Sequence, residues 1–147
     1  MNLLVRTRLA VLEHTIASGH VPTAGEIATD LDLPQAMVEE AFWKLGEAHV
    51  FVPEPRDPSR LRMANPFSAV PTPFKVSARG GNYFGNCVWD ALGIVSLLGG
   101  EGSVETKCPD CDEPLALRVS GGQLTEGAGV VHFSVPARLW WDDIVFT

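Results

Sequence analysis

The sequence is short of positive charge, of cysteine, and of any apolar stretch long enough to cross a membrane. Lysine and arginine number 11 against 18 aspartates and glutamates, a formal net charge of -7. Nonspecific nucleic-acid affinity depends on clustered Lys and Arg displacing counterions from phosphates. This balance therefore argues against a nucleic-acid partner except through a local basic patch. The longest apolar run, Val88 to Leu98, is internal and falls far short of the ~20 residues that span a bilayer, so no membrane partner is expected. The opening Met1-Asn-Leu-Leu-Val-Arg-Thr-Arg8 has no long apolar region followed by a small-residue cleavage site. No secretory signal is read, and the cytoplasm is the expected location. Three cysteines, Cys87, Cys108 and Cys111, make an odd set. Two of them form a Cys-Pro-Asp-Cys knuckle rather than a disulfide framework, which suits a reducing compartment.

A chain of 147 residues, 46% of them hydrophobic, can bury a real core and forms one domain or two small ones packed together. Residues 3 to about 17 place apolar side chains at helical spacing and end at Ser18-Gly19, a C-cap signal. Thr23 followed by Glu26 is a capping box that opens a second short helix. A third helix runs on from Leu33-Pro34, with Pro34 suited to the first turn. Val50-Phe-Val52 begins an extended segment, and Arg60-Leu-Arg-Met63 is placed to pair with it as a hairpin.

Three helices and a small hairpin make the winged helix-turn-helix plan over residues 1–64. DNA binding, as a transcriptional regulator, is the obvious role of that plan. The third helix, however, carries Glu39, Glu40 and Glu47 against Lys44 alone, a balance that phosphates repel. A helical packing module fits the charge better. Residues 65–81 are rich in proline and read as an extended linker, closing in a turn at Arg79-Gly-Gly-Asn82. Over 82–147 an apolar helix at Cys87 precedes strand-like pieces at Gly102–Lys107, Leu115–Val119 and Val130–Val135, separated by turn signals at Pro109-Asp110, Gly121-Gly122 and Gly127. The expected fold is α+β: a winged-helix-like helical module followed by a small antiparallel sheet packed on a buried helix.

Chemistry concentrates at the head of that helix. Cys87 and Asp90 are three residues apart, so both lie on one helical face. Backbone N–H groups and the helix dipole at an N-terminus favour thiolate and predict a lowered thiol pKa for Cys87. Asp90, followed by apolar residues, is predicted to have its pKa raised and to hold a proton for delivery. Each residue also has a plain reading, Cys87 as inert filling and Asp90 as compensation for the dipole.

Four stretches together carry a resemblance: Ala69-Val-Pro-Thr-Pro-Phe-Lys-Val76; Gly85-Asn-Cys87-Val-Trp-Asp90-Ala-Leu-Gly-Ile94; the knuckle Cys108-Pro-Asp-Cys111-Asp-Glu-Pro114; and Val131-His-Phe-Ser-Val-Pro-Ala-Arg-Leu-Trp-Trp-Asp-Asp143-Ile144. The chain resembles the organomercurial (alkylmercury) lyases over most of its length, including the helical module, which that family carries without known DNA-binding use. The Cys-x-x-Asp helix is the most specific part.

The resemblance implies mercury resistance chemistry: protonolysis of a carbon–mercury bond, with no cofactor required and mercury as the substrate metal. A first cysteine takes the mercury, a second joins it, and an aspartate relays the proton that releases the hydrocarbon. Cys87 matches the first cysteine and Asp90 the aspartate, which makes 82–147 the catalytic domain. Soft thiolates suit a soft metal. Organomercurials or other soft-metal small molecules are the implied substrates, and small thiols or a thiol-bearing acceptor would collect the ionic mercury.

Here the sequence departs from the family. The second cysteine is expected just before Val-His-Phe, where this chain has Thr125-Glu-Gly-Ala-Gly-Val130 without sulfur. Cys108 or Cys111 would substitute if the knuckle folded over the Cys87 helix. A non-catalytic or repurposed soft-metal protein, holding mercury or copper through Cys87, is the alternative. More sequence beyond Thr147 is also expected of a relative.

The knuckle has metal-ligand spacing. Structural zinc at Cys108 and Cys111, a redox pair and a spare mercury-binding dithiol are all open, with a reduced turn of some metal affinity preferred. Zinc would need two further ligands, and of His14, His20, His49 and His132 only His132 is expected in the same sheet. Otherwise His132 is read as a half-buried, hydrogen-bonded residue outside the catalytic set. Trp140 and Trp141 are read either as an aromatic wall of an apolar pocket or, with Asp142 and Asp143, as the capped start of a helix, the capping reading being preferred for Asp142.

Overall fold

The computed structural model describes residues 2–145 and shows an α+β fold. Helix α1 (Leu3–Ser18) starts on Asn2, whose side chain accepts from the Leu4 N–H, and ends on Gly19, whose φ of 81° lies in the left-handed region. Helix α2 (Ala24–Leu31) opens on the full Thr23–Glu26 capping box, and α3 (Gln35–Glu47) follows Pro34. Strand β1 (Val52–Glu54) pairs antiparallel with β2 (Asp57–Ala64), which pairs antiparallel with β3 (Phe67–Ser68). The first core lies between these helices and the hairpin, with Val11, Ile27, Val38, Phe42 and Phe51 at its centre.

A second sheet has the order β5-β4-β6-β7-β8 and is antiparallel throughout. Its strands are β4 (Lys75–Ala78), β5 (Gly81–Phe84), β6 (Gly102–Lys107), β7 (Pro114–Ser120) and β8 (Gln123–Glu126). The proline-rich segment is extended, and within it β3 joins one sheet and β4 the other. Helix α4 (Val88–Leu97) presses Ala91, Ile94 and Val95, all fully buried, onto Val76 of β4 and Val104 of β6. Full burial of an Ile or Val side chain contributes ~1.5–3 kcal/mol, enough for this face to fix where the head of α4 points. The seam between the two cores is closed by Leu12 and Ile16 of α1, which pack on the second core, and by the Tyr83 hydroxyl, which donates to the Ile16 carbonyl at 2.9 Å.

The C-terminal part differs from expectation. Val130–Val135 is irregular, and the strand beside β7 is β8, reached through Gly121 and Gly122 with φ of 57° and 72°. The valine-rich pattern predicts a strand, but Val130 is 93% exposed and has no face to cover. After this segment a 3-10 turn (Ala137–Asp142) folds back toward the helical module, where Trp141 stacks on His49 with ring centroids 4.1 Å apart and planes within 4°. Asp142 ends that turn rather than opening it. No helix among the described residues is long and apolar enough to cross a membrane.

Candidate active site

The head of α4 is held in place from both sides. Gly85 bridges to Phe67 and donates to the Phe74 carbonyl at 3.0 Å, while its own carbonyl accepts from the Thr72 hydroxyl at 2.6 Å. A Cβ at Gly85 would stand 2.6 Å from the Ala91 nitrogen, so only glycine lets the chain pass this close to the helix it is about to enter. Asn86 follows, then Cys87 as the N-cap residue in an extended conformation, then Asp90 in the first helical turn.

These residues open into a cavity of about 580 Å³. Asn86, Cys87, Trp89 and Asp90 form one side of it. Met63 and Asn65 from the end of β2 and Phe74 from the strap form another, and His132, Phe133, Ser134, Trp140 and Trp141 from the C-terminal segment close over it. Phe133 and Trp140 pack with ring centroids 5.0 Å apart, and the Trp140 indole donates to the Val135 carbonyl at 2.8 Å. The wall is therefore aromatic with a few polar groups, the make-up of a small-molecule site. The aromatic-wall reading of Trp140 and Trp141 agrees with this placement.

Asn86 organises the polar floor. Its Nδ2 donates to Asp90 Oδ2 at 2.9 Å and lies 3.3 Å from both Asn65 Oδ1 and the Pro66 carbonyl. Burial pushes the Asp90 carboxyl up from the ordinary aspartate range, and the Asn86 side-chain and backbone donors offset only part of that rise. This is the direction expected from the apolar sequence around it.

Cys87 moves the opposite way from expectation. Burial pushes the thiol up; backbone N–H groups of Asp90 and Trp89 pull it down, and the Asp90 charge adds to the rise. The helix N-terminus acts as anticipated, but desolvation and a neighbouring carboxylate outweigh it. The site thus holds a thiol and a carboxyl that both keep their protons more firmly than free groups would.

The structure does not bring the other cysteines into this cavity: its wall contains neither Cys108 nor Cys111. They sit in the turn between β6 and β7, where the Cys108 nitrogen donates to the Glu113 carbonyl at 2.9 Å. The backbone N–H groups of Cys111 and Asp110, with the Cys111 thiol, pull the Cys108 thiol down. Among the described residues no group of three metal-ligating side chains includes either cysteine, so a closed zinc site is not assembled there. His132, expected in the sheet, lies instead against the Cys87 cavity. Asn86, Asn65 and Ser134 were not singled out in sequence; an Asn beside Cys-x-x-Asp was the one signal that could have marked Asn86.

No curated protein matches the sequence. Among solved structures the chain is similar to the mercury-bound form of MerB2, with a TM-score of 0.64 and 18% identity over 82% of this chain. The chain spans 59% of that protein's length, and at this identity the likeness concerns the fold. The model of the MerB family, alkylmercury lyase, matches residues 67–147, which include α4, the second sheet and the whole segment that closes the cavity; the chain belongs to the alkylmercury lyase family.

Proposed function

We propose that the protein cleaves carbon–mercury bonds by protonolysis, with Cys87 as nucleophile and mercury ligand and Asp90 as proton donor. The observation that carries the reading is that this thiol and this carboxyl share one aromatic-walled cavity at the head of α4. The Cys87 sulfur attacks the mercury of R–Hg(II) and loses its proton to the Asp90 carboxylate. Asp90 then returns a proton to the carbon as the C–Hg bond breaks, releasing R–H and leaving mercuric ion on sulfur. Raised pKa values in both groups suit this relay, because the pair stores the proton until the metal displaces it. Small thiols or a thiol-bearing acceptor then remove the metal, and no cofactor takes part.

Residues 1–64 serve in this reading as a packing module beneath the catalytic domain at 82–147, joined by the strap at 65–81. Two cores, one of residues 11–64 and one of residues 67–119, support a division into two units, with Phe67, Val76 and Ala78 of the strap belonging to the second. A DNA-reading role has little support: Lys44, the single basic residue of α3, is paired with Glu40 at 2.6 Å.

One observation favours a second reading, capture without cleavage. Cys87 is the single sulfur nucleophile in the cavity wall, whereas each added thiolate makes the carbon a better proton acceptor. In that case Cys87 holds a soft metal such as mercury or copper, and the knuckle at Cys108 and Cys111 is a separate dithiol. Hydrocarbon release from an organomercurial in excess small thiol separates the two. Release that persists in Cys87→Ser removes Cys87 from the mechanism, and stoichiometric uptake without hydrocarbon leaves only capture.

A further inference from the structure

At the corner between α1 and α2, remote in sequence from the Cys87 site, His14, His20 and Glu26 place one ligand atom each within 4.8 Å of one another. His14 is near the end of α1, His20 in the connection and Glu26 on the first turn of α2. Glu26 Oε1 lies 3.2 Å from His20 Nε2 and 4.0 Å from His14 Nε2. Tetrahedral zinc with bonds of ~2.1 Å puts its ligand atoms ~3.4 Å apart. The Glu26–His20 spacing already fits, the Glu26–His14 spacing is about 0.6 Å too long, and the third pair, His14 with His20, lies within 4.8 Å, so seating an ion draws the exposed side chains together.

The cluster has features that an incidental surface ion pair lacks. The second carboxylate oxygen of Glu26 is occupied by the capping box, accepting from the Thr23 N–H at 2.7 Å and the Thr23 hydroxyl at 2.8 Å, which leaves Oε1 facing the imidazoles. Asp30, one turn on from Glu26, accepts from His14 Nδ1 at 2.9 Å. A carboxylate on one ring nitrogen fixes the tautomer and presents the lone pair of the other, the arrangement that supports metal-bound histidines. His20 is held by a tight turn: the Ser18 hydroxyl donates to the His14 carbonyl at 2.8 Å and accepts from the His20 N–H at 3.3 Å. The two rings meet edge to face with centroids 5.3 Å apart.

We propose that His14, His20 and Glu26 form a binding site for a divalent first-row transition-metal ion of the zinc class, with Asp30 orienting His14. Two imidazoles and a carboxylate are a zinc donor set, with a fourth position left to water. The metal takes the place of the proton between His20 Nε2 and Glu26 Oε1, and that proton leaves to solvent or moves to His20 Nδ1. A bound ion would tie the end of α1 to the start of α2, next to the point where Tyr83 holds the Ile16 carbonyl.

The test is a Zn²⁺ titration of the full chain carrying Cys87→Ser, Cys108→Ser and Cys111→Ser, followed by calorimetry and by imidazole NMR; wild-type chain with methylthiolated cysteines gives the same readout should that variant not fold. One equivalent is expected to bind, shifting the ring resonances of His14 and His20 but not those of His49 and His132. His20→Ala, at an exposed position, should weaken binding at least tenfold, and Asp30→Asn by about 10–100-fold. Equal affinity in His20→Ala, or shifts confined to His49 and His132, overturns the site.

Discussion

The Asn86 side chain donates to Asp90 Oδ2 at 2.9 Å, while its own Oδ1 is buried without a hydrogen-bond partner among the described residues. Turning the amide over would set its oxygen against the Asp90 carboxylate, so Asp90 fixes the orientation and Asn86 leaves an acceptor unsatisfied to hold it. An orphaned buried acceptor costs ~1–3 kcal/mol. The Asn86 amide therefore holds the Asp90 carboxyl in place.

Asn86→Ala is accordingly expected to slow hydrocarbon release about 10–100-fold, the worth of a hydrogen bond to a charged group at ~1.5–3 kcal/mol. Because the Asn86 side-chain donor helps hold the Asp90 carboxyl down, its loss should also move the acid limb of the pH–rate profile upward. A rate fall with no movement of that limb would assign Asn86 a purely structural part.

Asp90 is expected to trade stability for function. A carboxyl whose folded pKa is raised destabilises the native state at pH values above its unfolded pKa, fully so above the folded value, and not at all below the unfolded value near ~3.9. Asp90→Asn should thus be as stable as the parent or more so at pH 7, with the difference shrinking as pH falls through that window. Thermal melts at several pH values check this, and a clear loss of stability at pH 7 would mean that compensation of the α4 dipole outweighs burial.

The cysteines should react in an order opposite to the one their places in sequence suggest. Cys108 is pulled down by backbone donors and Cys87 is pushed up by burial. Limited alkylation near neutral pH, read by peptide mass, is expected to label Cys108 before Cys87. Labelling of Cys87 first would show that the helix N-terminus governs that thiol after all.

At the other end of the molecule, the Thr23 backbone N–H and hydroxyl hold the Glu26 carboxyl down to about 2. A depressed folded pKa contributes stability above the unfolded glutamate value near ~4.3, lost as pH falls from there toward the folded value. Thr23→Ala should cost about 1 kcal/mol at neutral pH, the usual worth of an N-cap, and less in acid. Denaturant melts at neutral pH and in acid read both numbers.

Local signals were the legible ones. The Gly19 cap, the Thr23–Glu26 box and Pro34 mark helix ends by chemistry confined to a few residues: α1 ends at the residue before Gly19, and α2 and α3 begin at the residues after Thr23 and Pro34. The Cys87 helix was equally plain from its apolar run, and Gly102–Lys107 from β-branched Val104 and Thr106 bounded by turn signals. Long-range effects were not. Val130–Val135 has strand composition, yet β8 occupies the sheet edge and the valines run past it, carrying His132 to the cavity. The stacking of Trp141 on His49, which ties this segment to the helical module, joins residues far apart in sequence and leaves no local trace. The Cys87 thiol departs from its sequence expectation for the same reason: its helix position is local, but its burial, in a cavity that the C-terminal segment also lines, is not.

Headspace measurement of benzene from phenylmercury in excess small thiol, alongside intact-protein mass, tests the Cys87–Asp90 relay most directly. The parent is expected to release one benzene per phenylmercury consumed, and Asp90→Asn to stall as a protein–phenylmercury adduct that releases none. Benzene from Asp90→Asn at the parent's rate, or an adduct on the parent that never yields benzene, would contradict the account.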